Sequence, residues 1–353
     1  MPPILPRLIC IAKTNHVNLI CTKISEYNKN ILRSNNISFR ETLHNITFLK
    51  KKRKILDWIN FRISAKRILD TDYKNTDVVY VCSADTAMCL GSILNGRKYI
   101  FQCNELYDKF PIYKYCIKKY AKQATAFVVP DFSRANIFQV WFGLKNDPFV
   151  IPNIPFIQST KPKQDISDPK AKEILNNIRG KKIILNQGHI SSSDRSLTSI
   201  AEALQRINDP SLALVLMGID HNKSVPELIS IYKNTFHIPF VAPPLHLEIT
   251  SHAYIGTLSY NKNSLNNIFC APNKIYEYSV FGIPMLGNDI PGLRNSILTN
   301  KMGLCVSYND SNAIAKSILE LEKNHSLYAN NAKDFYDGVC LEKSLCDLIK
   351  YVK

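Results

Sequence analysis

Short apolar runs alternate with helix-patterned stretches along the second half of the chain. Residues 181–190 (KKIILNQGHI) form a β-rich apolar run, whereas in residues 194–207 apolar side chains recur at the spacing of one helix face. Strands that alternate with helices make βαβ units, so we predict a parallel sheet covered on both faces. Further strands are predicted at 211–220, 236–244, 252–260, 283–289 and 303–308, and further helices at 225–234, 273–282, 291–301 and 311–324.

The first half carries the same alternation in a weaker form. Its predicted strands lie at 16–24, 78–83, 98–103 and 124–130, and its predicted helices at about 50–69, 84–94 and 112–122. A Pro-, Ser- and Lys-rich segment, Val150–Pro169, has the composition of a hinge. A length of 353 residues favours two domains. We therefore expect an α/β fold with two doubly wound Rossmann-like domains facing a cleft: residues 1–150, joined by a C-terminal helix at 335–353, and residues 151–334.

The chain is basic, and its excess charge is unevenly distributed. The formal net charge is +16, and residues 1–150 hold 24 Lys and Arg against 11 Asp and Glu. Such a surface favours a polyanionic partner, which includes nucleic acid, anionic lipid and a phosphate-bearing substrate. The sequence contains no basic–aromatic signature of nucleic-acid binding, so we expect no nucleic-acid partner.

Membrane spans, signal peptides and structural metals are not indicated by the sequence. No segment has the roughly 18 consecutive apolar residues of a spanning helix, and the first residues lack the pattern of a signal peptide. The ten cysteines include no C-x-x-C pair. We expect a cytoplasmic protein with reduced thiols and no metal site.

The main candidate site lies in APNKIYEYSVFGIPML, residues 271–286. Pro272 suits the first turn of a helix because it has no N–H to leave unsatisfied. A helix start presents free N–H groups to a phosphate, and Lys274 adds a positive charge beside them. Glu277, one turn further on, is able to accept hydrogen bonds from both hydroxyls of a ribose. The alternative is a capped helix whose Glu and Lys face solvent.

A second candidate loop follows the strand at 181–190. Gly188 ends this strand, a serine-rich loop follows, and Arg195 opens the next helix. Such a loop lets backbone N–H groups approach a phosphate, and an arginine adds a planar two-pronged contact. The alternative for Arg195 is a solvated residue at a helix start.

These segments, together with PGLRNSILTNKMGLCVSYND at 291–310, resemble the nucleotide-sugar half of two-Rossmann-domain (GT-B) glycosyltransferases. The resemblance is strongest to glycosyltransferase family 4, which builds bacterial surface polysaccharides such as capsule and lipopolysaccharide. It implies hexosyl transfer from a UDP- or GDP-sugar to a growing, lipid-linked glycan, with retention and without a cofactor. The donor-binding residues that it implies are Gly188, His189, Arg195, Asn273, Lys274 and Glu277, of which Arg195 and Lys274 would also neutralise the departing diphosphate.

The sequence departs from this family at two points. The family commonly has a second glutamate eight residues before the ribose glutamate, and Phe269 stands at that position here. Asn266 or Asn267 could supply a hydrogen bond to the sugar instead. The family also opens with a strand and a glycine-rich loop, whereas PPILPRLICIAK at 2–13 has the pattern of the helix after that loop.

The first half supplies a candidate catalytic base. YIFQCNELYDKFP at 99–111 resembles the family's segment near the acceptor, and Glu105 is its foremost candidate, with Asp108 and Asp85 behind it. An inverting enzyme needs such a carboxylate within reach of the acceptor hydroxyl. In a retaining enzyme of this family the departing phosphate takes the proton, and Glu105 is then a polar loop residue.

Asp70-Thr71-Asp72 matches the D-x-D metal clamp of single-domain glycosyltransferases. That clamp belongs at the end of a strand, whereas these residues follow a helical stretch and precede a strand. We therefore predict a loop at the end of a helix and no essential metal.

Residues 48–69 interleave Lys and Arg with Trp58 and several Ile and Leu residues. A basic amphipathic helix with tryptophan is typical of an element that lies on a membrane surface, and an ordinary solvated helix is the alternative. The expected partners are a nucleotide-sugar donor, a lipid-linked oligosaccharide acceptor and the anionic inner face of the membrane. Two other functions stay open: a nucleotide-sugar epimerase of the same fold, and a non-catalytic polyanion-binding protein with a degenerate donor site.

Overall fold

The computed structural model describes residues 4–42, 53–190 and 196–353. These residues divide into two compact units. The first unit extends to Pro152 and includes Cys340–Lys353, and the second unit is Asn153–Val339. Among the helices in the described ranges, none is both long enough and apolar enough to cross a membrane.

The first unit contains two parallel sheets and the helices that flank them. One sheet has the order β1-β2 and the other the order β3-β4-β5-β6. The elements of this unit are α1 (Ile4–Ala12), β1 (Asn18–Cys21), α2 (Glu26–Ser34), β2 (Ser38–Glu41), α3 (Arg53–Asp70), β3 (Val79–Cys82), α4 (Ala84–Leu90), β4 (Tyr99–Gln102), α5 (Pro111–Gln123), β5 (Ala126–Val129), α6 (Phe132–Phe142), β6 (Phe149–Val150) and, from the C-terminus, α16 (Leu341–Val352).

The second unit is a single six-stranded parallel sheet with helices on both faces. The strand order is β12-β11-β10-β7-β8-β9. The elements of this unit are α7 (Pro169–Asn177), β7 (Lys182–Gln187), α8 (Ser196–Ile207), β8 (Leu212–Met217), α9 (Val225–Ile231), β9 (Thr235–Ile238), α10 (His246–Thr250), β10 (Ile255–Leu258), α11 (Leu265–Ile268), α12 (Lys274–Ser279), β11 (Met285–Asn288), α13 (Pro291–Leu293), β12 (Gly303–Val306), α14 (Ser311–Lys323) and α15 (His325–Gly338).

The apolar runs of β7 and β8 are explained by burial on both faces of this sheet. Ile183 and Leu185 of β7 belong to one core cluster, whereas Ile184 between them belongs to the cluster on the other face. Successive side chains of a strand point to opposite faces, so a strand buried on both faces is apolar at nearly every position. The predicted α/β class with parallel sheets is confirmed.

The C-terminal residues differ from the prediction in one respect. A single helix was expected at 335–353, but α15 ends at Gly338 and α16 begins at Leu341. The break divides the two units, because α15 lies in the second unit and α16 in the first. Leu345, Leu348 and Val352 of α16 are buried in the core of the first unit, against Ile100 and other strand residues.

Candidate functional site

A pocket lies at the carboxyl ends of the strands in the second unit. Its volume is about 240 Å3. The strand order β9-β8-β7-β10-β11-β12 reverses direction between β7 and β10, and ligands of such doubly wound sheets bind at this reversal, outside the carboxyl ends. The residues that line the pocket are Gln187, Gly188, His189, Met217, Gly218, Ile219, Phe240, Val241, Pro243, His246, Lys274 and Glu277.

Glu277 reaches the pocket from the first turn of α12 and is only 6% exposed. Its Oε2 accepts a hydrogen bond from Nε2 of Gln187, at the end of β7. Its Oε1 lies 3.4 Å from Nε2 of His246, at the start of α10. A carboxylate offers about four acceptor positions. These two contacts therefore leave acceptor capacity for two ligand hydroxyls.

Lys274 is the positive charge of the pocket. Its Nζ lies over Gly188, so close that a Cβ at residue 188 would stand 2.9 Å from it. Burial lowers the pKa of Lys274, and the neighbouring Glu277 opposes this effect. Within the described ranges its ammonium has no salt bridge, although it lies 5.8 Å from the centre of the Tyr260 ring. A half-buried ammonium in this position favours an anionic ligand.

The floor of the pocket depends on two glycines. Gly188 and Gly218 follow β7 and β8 and have φ of +128° and +150°, which side-chain-bearing residues rarely adopt. A Cβ on Gly218 would lie 1.8 Å from the carbonyl oxygen of Gly188. The two chain segments therefore approach each other more closely than any other residue type would allow, which leaves space above Gly188 for Lys274 and a ligand.

Four of the residues predicted to bind the donor meet at this pocket: Gly188, His189, Lys274 and Glu277. His189 is exposed, and its ring centre lies 5.3 Å from that of His221. Their roles in binding stay predictions.

Of the other two predicted donor residues, only Asn273 is described by the structure, and it is not among the residues that line the pocket. Asn273 directly precedes α12 and its side chain makes no capping hydrogen bond. Arg195 lies outside the described residues. Pro272 is not in the first turn as predicted, since α12 begins only at Lys274 and has six residues. The positive charge of the pocket is therefore better ascribed to Lys274 than to a helix dipole.

Two groups of pocket residues were not predicted from the sequence. They are the partners of Glu277 and the apolar residues Phe240, Val241 and Pro243. No motif in the sequence marks His246, and Gln187 lies inside the strand predicted at 181–190. Phe240, Val241 and Pro243 fall within the strand predicted at 236–244, but β9 ends at Ile238. A signal was present in the sequence, because Pro243 and Pro244 have no N–H to donate, which argues against a strand that continues to residue 244.

Glu105 lies in the other unit, just after the end of β4. Its carboxylate is half exposed and lies 3.5 Å from Nη1 of Arg134, which is buried. Nearby, the carboxylate of Asp85 accepts a hydrogen bond from the hydroxyl of Tyr113, and the Tyr113 ring stacks on Tyr107 with centres 4.7 Å apart. A carboxylate and two stacked aromatic rings suit a sugar acceptor, but the role of Glu105 as a base stays a prediction.

The D-x-D sequence is a helix-ending loop, as predicted. Asp70 is the last residue of α3. Its carboxylate lies 2.7 Å from Arg97, and that of Asp72 lies 3.5 Å from Arg40. Throughout the described ranges, no group of three or more His, Cys, Asp and Glu side chains is arranged to hold a metal ion. All ten cysteines are free thiols.

Comparison with solved structures places this architecture among known folds. Anabaena Alr3699/HepE in complex with UDP-glucose superimposes with a TM-score of 0.71 and 12% identity, over 99% of this chain and 96% of that one. Sucrose-phosphate synthase from Thermosynechococcus elongatus gives 0.66 and 13%, over 98% and 89%. A structure assigned to a UDP-N-acetylglucosamine 2-epimerase from Listeria monocytogenes gives 0.61 and 13%, over 94% and 86%.

No protein-family model matches the sequence, and no curated protein sequence matches it significantly. The similarity is therefore one of structure, and it extends over nearly the whole length of each chain. The protein has the GT-B fold, with two Rossmann-like domains.

Proposed function

We propose that the protein is a glycosyltransferase that takes a hexose from a UDP- or GDP-sugar. The observation that carries this proposal is the arrangement of Glu277 and Lys274 in one pocket of the second unit, at the reversal of the strand order. The carboxylate suits the hydroxyls of a ribose, and the ammonium suits a diphosphate. HepE, which has the same fold, is known in complex with UDP-glucose.

Different residues of the pocket would contact the base, the ribose and the diphosphate of the donor. Phe240, Val241 and Pro243 form an apolar wall on which a base can lie. Glu277 would hold the ribose, since its carboxylate is fixed by Gln187 and His246. Fixing the nucleotide in this way orients the sugar carbon for attack and removes part of the entropic barrier.

Lys274 would act on the leaving group. When the bond between C1 of the sugar and the phosphate oxygen breaks, negative charge increases on the diphosphate, and a half-buried ammonium stabilises this charge more than an exposed one does. We propose retention, in which the acceptor hydroxyl attacks from the side of the departing phosphate. The acceptor oxygen then bonds to C1, its proton goes to a phosphate oxygen, and the nucleoside diphosphate leaves.

We further propose that the acceptor is a growing, lipid-linked surface glycan of the capsule or lipopolysaccharide type. Support comes from the basic first half of the chain and from exposed apolar side chains on α3. Ile59 and Ile63 of this helix are 48% and 62% exposed. The protein would then lie at the inner face of the membrane. Such acceptors are anionic, so the basic first half of the chain would attract them.

Nucleotide binding is the direct test. Isothermal titration with UDP, GDP and CDP should give one preferred nucleoside diphosphate, and the corresponding sugar should be transferred to a lipid-linked acceptor. If inorganic polyphosphate and dextran sulfate stabilise the protein and none of the nucleotides does, the result would instead indicate a polyanion-binding protein. Binding of all polyanions alike would contradict a donor site.

An epimerase is the second candidate, because four titratable groups face the same pocket: His189, His246, Lys274 and Glu277. Epimerisation by elimination and hydration needs several acid and base groups, and an epimerase shares the fold. Conversion of a free nucleotide sugar without any acceptor, followed by NMR, would favour this function. Transfer only in the presence of an acceptor would favour the glycosyltransferase.

A further inference from the structure

Glu277 is the last of three buried polar side chains that are linked by hydrogen bonds and come from three different elements. Thr250 is the last residue of α10, Gln187 is the last residue of β7, and Glu277 lies in the first turn of α12. They are 0%, 4% and 6% exposed, respectively. Buried polar groups need hydrogen-bond partners, so the arrangement of these side chains depends on which atoms donate and which accept.

The hydrogen bonds between these side chains are all donated in the direction of Glu277. The hydroxyl of Thr250 donates to Oε1 of Gln187 over 2.8 Å, and Nε2 of Gln187 donates to Oε2 of Glu277. A reversed amide would place Oε1 of Gln187 against the carboxylate, and both groups only accept hydrogen bonds. The two partners therefore determine the orientation of the Gln187 amide.

Thr250 anchors this amide from behind, since it is not among the described residues that line the pocket. Its hydroxyl has one proton and two acceptors, because the carbonyl oxygen of His246, one turn earlier in α10, lies 2.9 Å away. Without a hydroxyl at residue 250, Oε1 of Gln187 would be buried without a donor, which is unfavourable. The Gln187 side chain would then turn into the open pocket that it lines, and Glu277 would lose its partner.

A carboxylate that is held in place selects ligands by the hydroxyl groups that they offer. Glu277 accepts one hydrogen bond from Gln187, and its other oxygen lies beside His246, which leaves acceptor positions for the donors of a ligand. A ribose offers a 2′- and a 3′-hydroxyl, whereas a 2′-deoxyribose offers only the 3′-hydroxyl. A carboxylate that is free to turn adapts to either sugar and discriminates less between them.

We propose that Thr250 is a positioning residue, which acts through Gln187 to hold Glu277 and thereby makes the pocket selective for ribonucleotides over 2′-deoxyribonucleotides. This inference rests on the proposed function, since it requires a nucleotide in the pocket. It adds the class of nucleotide that is selected and the residues that select it. The competing role for Thr250 is purely structural, because its contact with the His246 carbonyl also stabilises α10.

Thr250→Val tests the proposal, because valine has nearly the shape of threonine but no hydroxyl. Isothermal titration of the full chain with UDP, 2′-deoxy-UDP, GDP and 2′-deoxy-GDP gives the ratio of ribonucleotide to deoxyribonucleotide affinity. A hydrogen bond to a charged group changes affinity by roughly 10- to 100-fold, so we expect a ratio of this size in the natural chain and of about threefold or less in Thr250→Val. Thr250→Ser keeps the hydroxyl and should restore the ratio.

A double-mutant cycle distinguishes positioning from a purely structural role. Gln187→Met removes the amide and should lower the ratio as Thr250→Val does, which keeps the proposal testable if Thr250→Val does not fold. Because Thr250 acts through Gln187, the double variant should have the same ratio as Gln187→Met alone. Thr235→Val is the matched control: Thr235 is buried at the start of β9, its hydroxyl donates to the Tyr232 carbonyl, and it is not among the described residues that line the pocket. Its ratio should equal that of the natural chain.

Failure of this inference and failure of the proposed function give different results. If the natural chain binds none of the four nucleotides, both are wrong. If it binds them and Thr250→Val keeps the ratio of the natural chain, even with weaker binding of every nucleotide, the inference alone is overturned. It is also overturned if the losses in Thr250→Val and Gln187→Met add in the double variant, because the two residues would then act independently.

Discussion

At the scale of single residues, the candidate site depends on a carboxylate that already has two partners. Glu277 is held by Gln187 and by His246 from two different elements. This arrangement has two consequences. The carboxylate keeps its position when no ligand is bound, and a ligand gains its hydrogen bonds without having to order the side chain first.

Replacement of Glu277 by Gln tests the ribose contact. The amide is nearly isosteric but loses the charge and one acceptor oxygen. Since a hydrogen bond to a charged group contributes about 1.5–3 kcal/mol, we expect 10- to 100-fold weaker binding of the preferred nucleoside diphosphate. Isothermal titration measures the change. Glu227→Gln on α9 is the matched control, because Glu227 is exposed and does not line the pocket. Equal affinities in the two variants would exclude Glu277 from the site.

The pKa of Lys274, lowered by burial, makes nucleotide affinity dependent on pH. Between the lowered pKa and that of the unfolded chain, the unfolded state binds more protons, so the free energy of unfolding rises with pH in this window. Nucleotide affinity should fall in the same window, because neutral lysine no longer attracts the diphosphate. Titrations at increasing alkaline pH test this expectation.

Lys274→Arg provides the matched control for this effect, because arginine stays protonated throughout. The variant should bind nucleotide with little dependence on pH over the same range. A decline in affinity that is as steep in Lys274→Arg as in the natural chain would show that another group is responsible.

The close approach of Gly188 and Gly218 gives a third prediction. Gly218→Ala places a Cβ against the Gly188 carbonyl and forces a non-glycine residue into a left-handed conformation. We expect a loss of at least about 2 kcal/mol in stability and a larger loss of nucleotide affinity. Gly338→Ala is the control, since nothing lies within 4 Å of its Cβ position. Calorimetry and titration distinguish the two effects, and a neutral Gly218→Ala would contradict the described backbone.

At the scale of elements, the sequence predicts best where burial is most uniform. All six strands of the second unit were predicted. The four central ones are the clearest, because a central parallel strand is buried on both faces and is therefore mostly apolar. Some elements without a clear apolar pattern were not predicted, among them α6 and β2. In α6 the apolar residues are distributed around the whole helix, and one of them, Val140, is 82% exposed. The residues of β2, SFRE, form no apolar run.

The sequence predicts the site only for functional residues that lie on the same element. Lys274 and Glu277 are three residues apart, so the sequence places them together. His246 and Gln187 reach Glu277 from residues 31 and 90 positions away along the chain, and only the strand order brings them close. Contacts between elements depend on topology, which local spacing does not encode.

At this scale the most important feature is α16. This helix follows the second unit in the sequence but packs in the first unit. Leu348 is fully buried against its strands. Leu348→Ala should cost about 2–5 kcal/mol, whereas Leu319→Ala on α14, where leucine is 48% exposed, should change stability by less than about 0.5 kcal/mol. Both tryptophans, Trp58 and Trp141, lie in the first unit, so urea unfolding followed by tryptophan fluorescence reports on it directly. An unchanged midpoint in Leu348→Ala would contradict the docking of α16.

At the scale of the whole molecule, the charge distribution distinguishes the two halves of the chain. Residues 1–150 carry 24 basic against 11 acidic side chains, whereas the rest of the chain is nearly balanced with 21 against 18. A basic surface is attracted to anionic lipid, and each Lys or Arg near the surface contributes about 1 kcal/mol. Charge alone does not determine which face of the protein contacts the membrane, and exposed apolar residues are needed to determine it.

Two such residues lie on one side of α3. Ile59 and Ile63 are exposed, with Lys66 and Arg67 following on the next turn. Arg62, in contrast, turns inward and donates hydrogen bonds to carbonyl groups at the end of α4. The amphipathic helix expected at 48–69 is thus partly an ordinary packed helix, although residues 48–52 lie outside the described ranges.

These two isoleucines give the last prediction. Replacement of both by Ser should weaken binding to vesicles that contain phosphatidylglycerol by about tenfold, because each loses part of the 1.5–3 kcal/mol that burial of an isoleucine contributes. Co-sedimentation measures the change. The matched control replaces Leu319 and Leu327 by Ser, which are 48% and 59% exposed in the second unit. Binding that falls equally in both pairs, or that persists on neutral vesicles, would show that α3 is not the membrane-facing element.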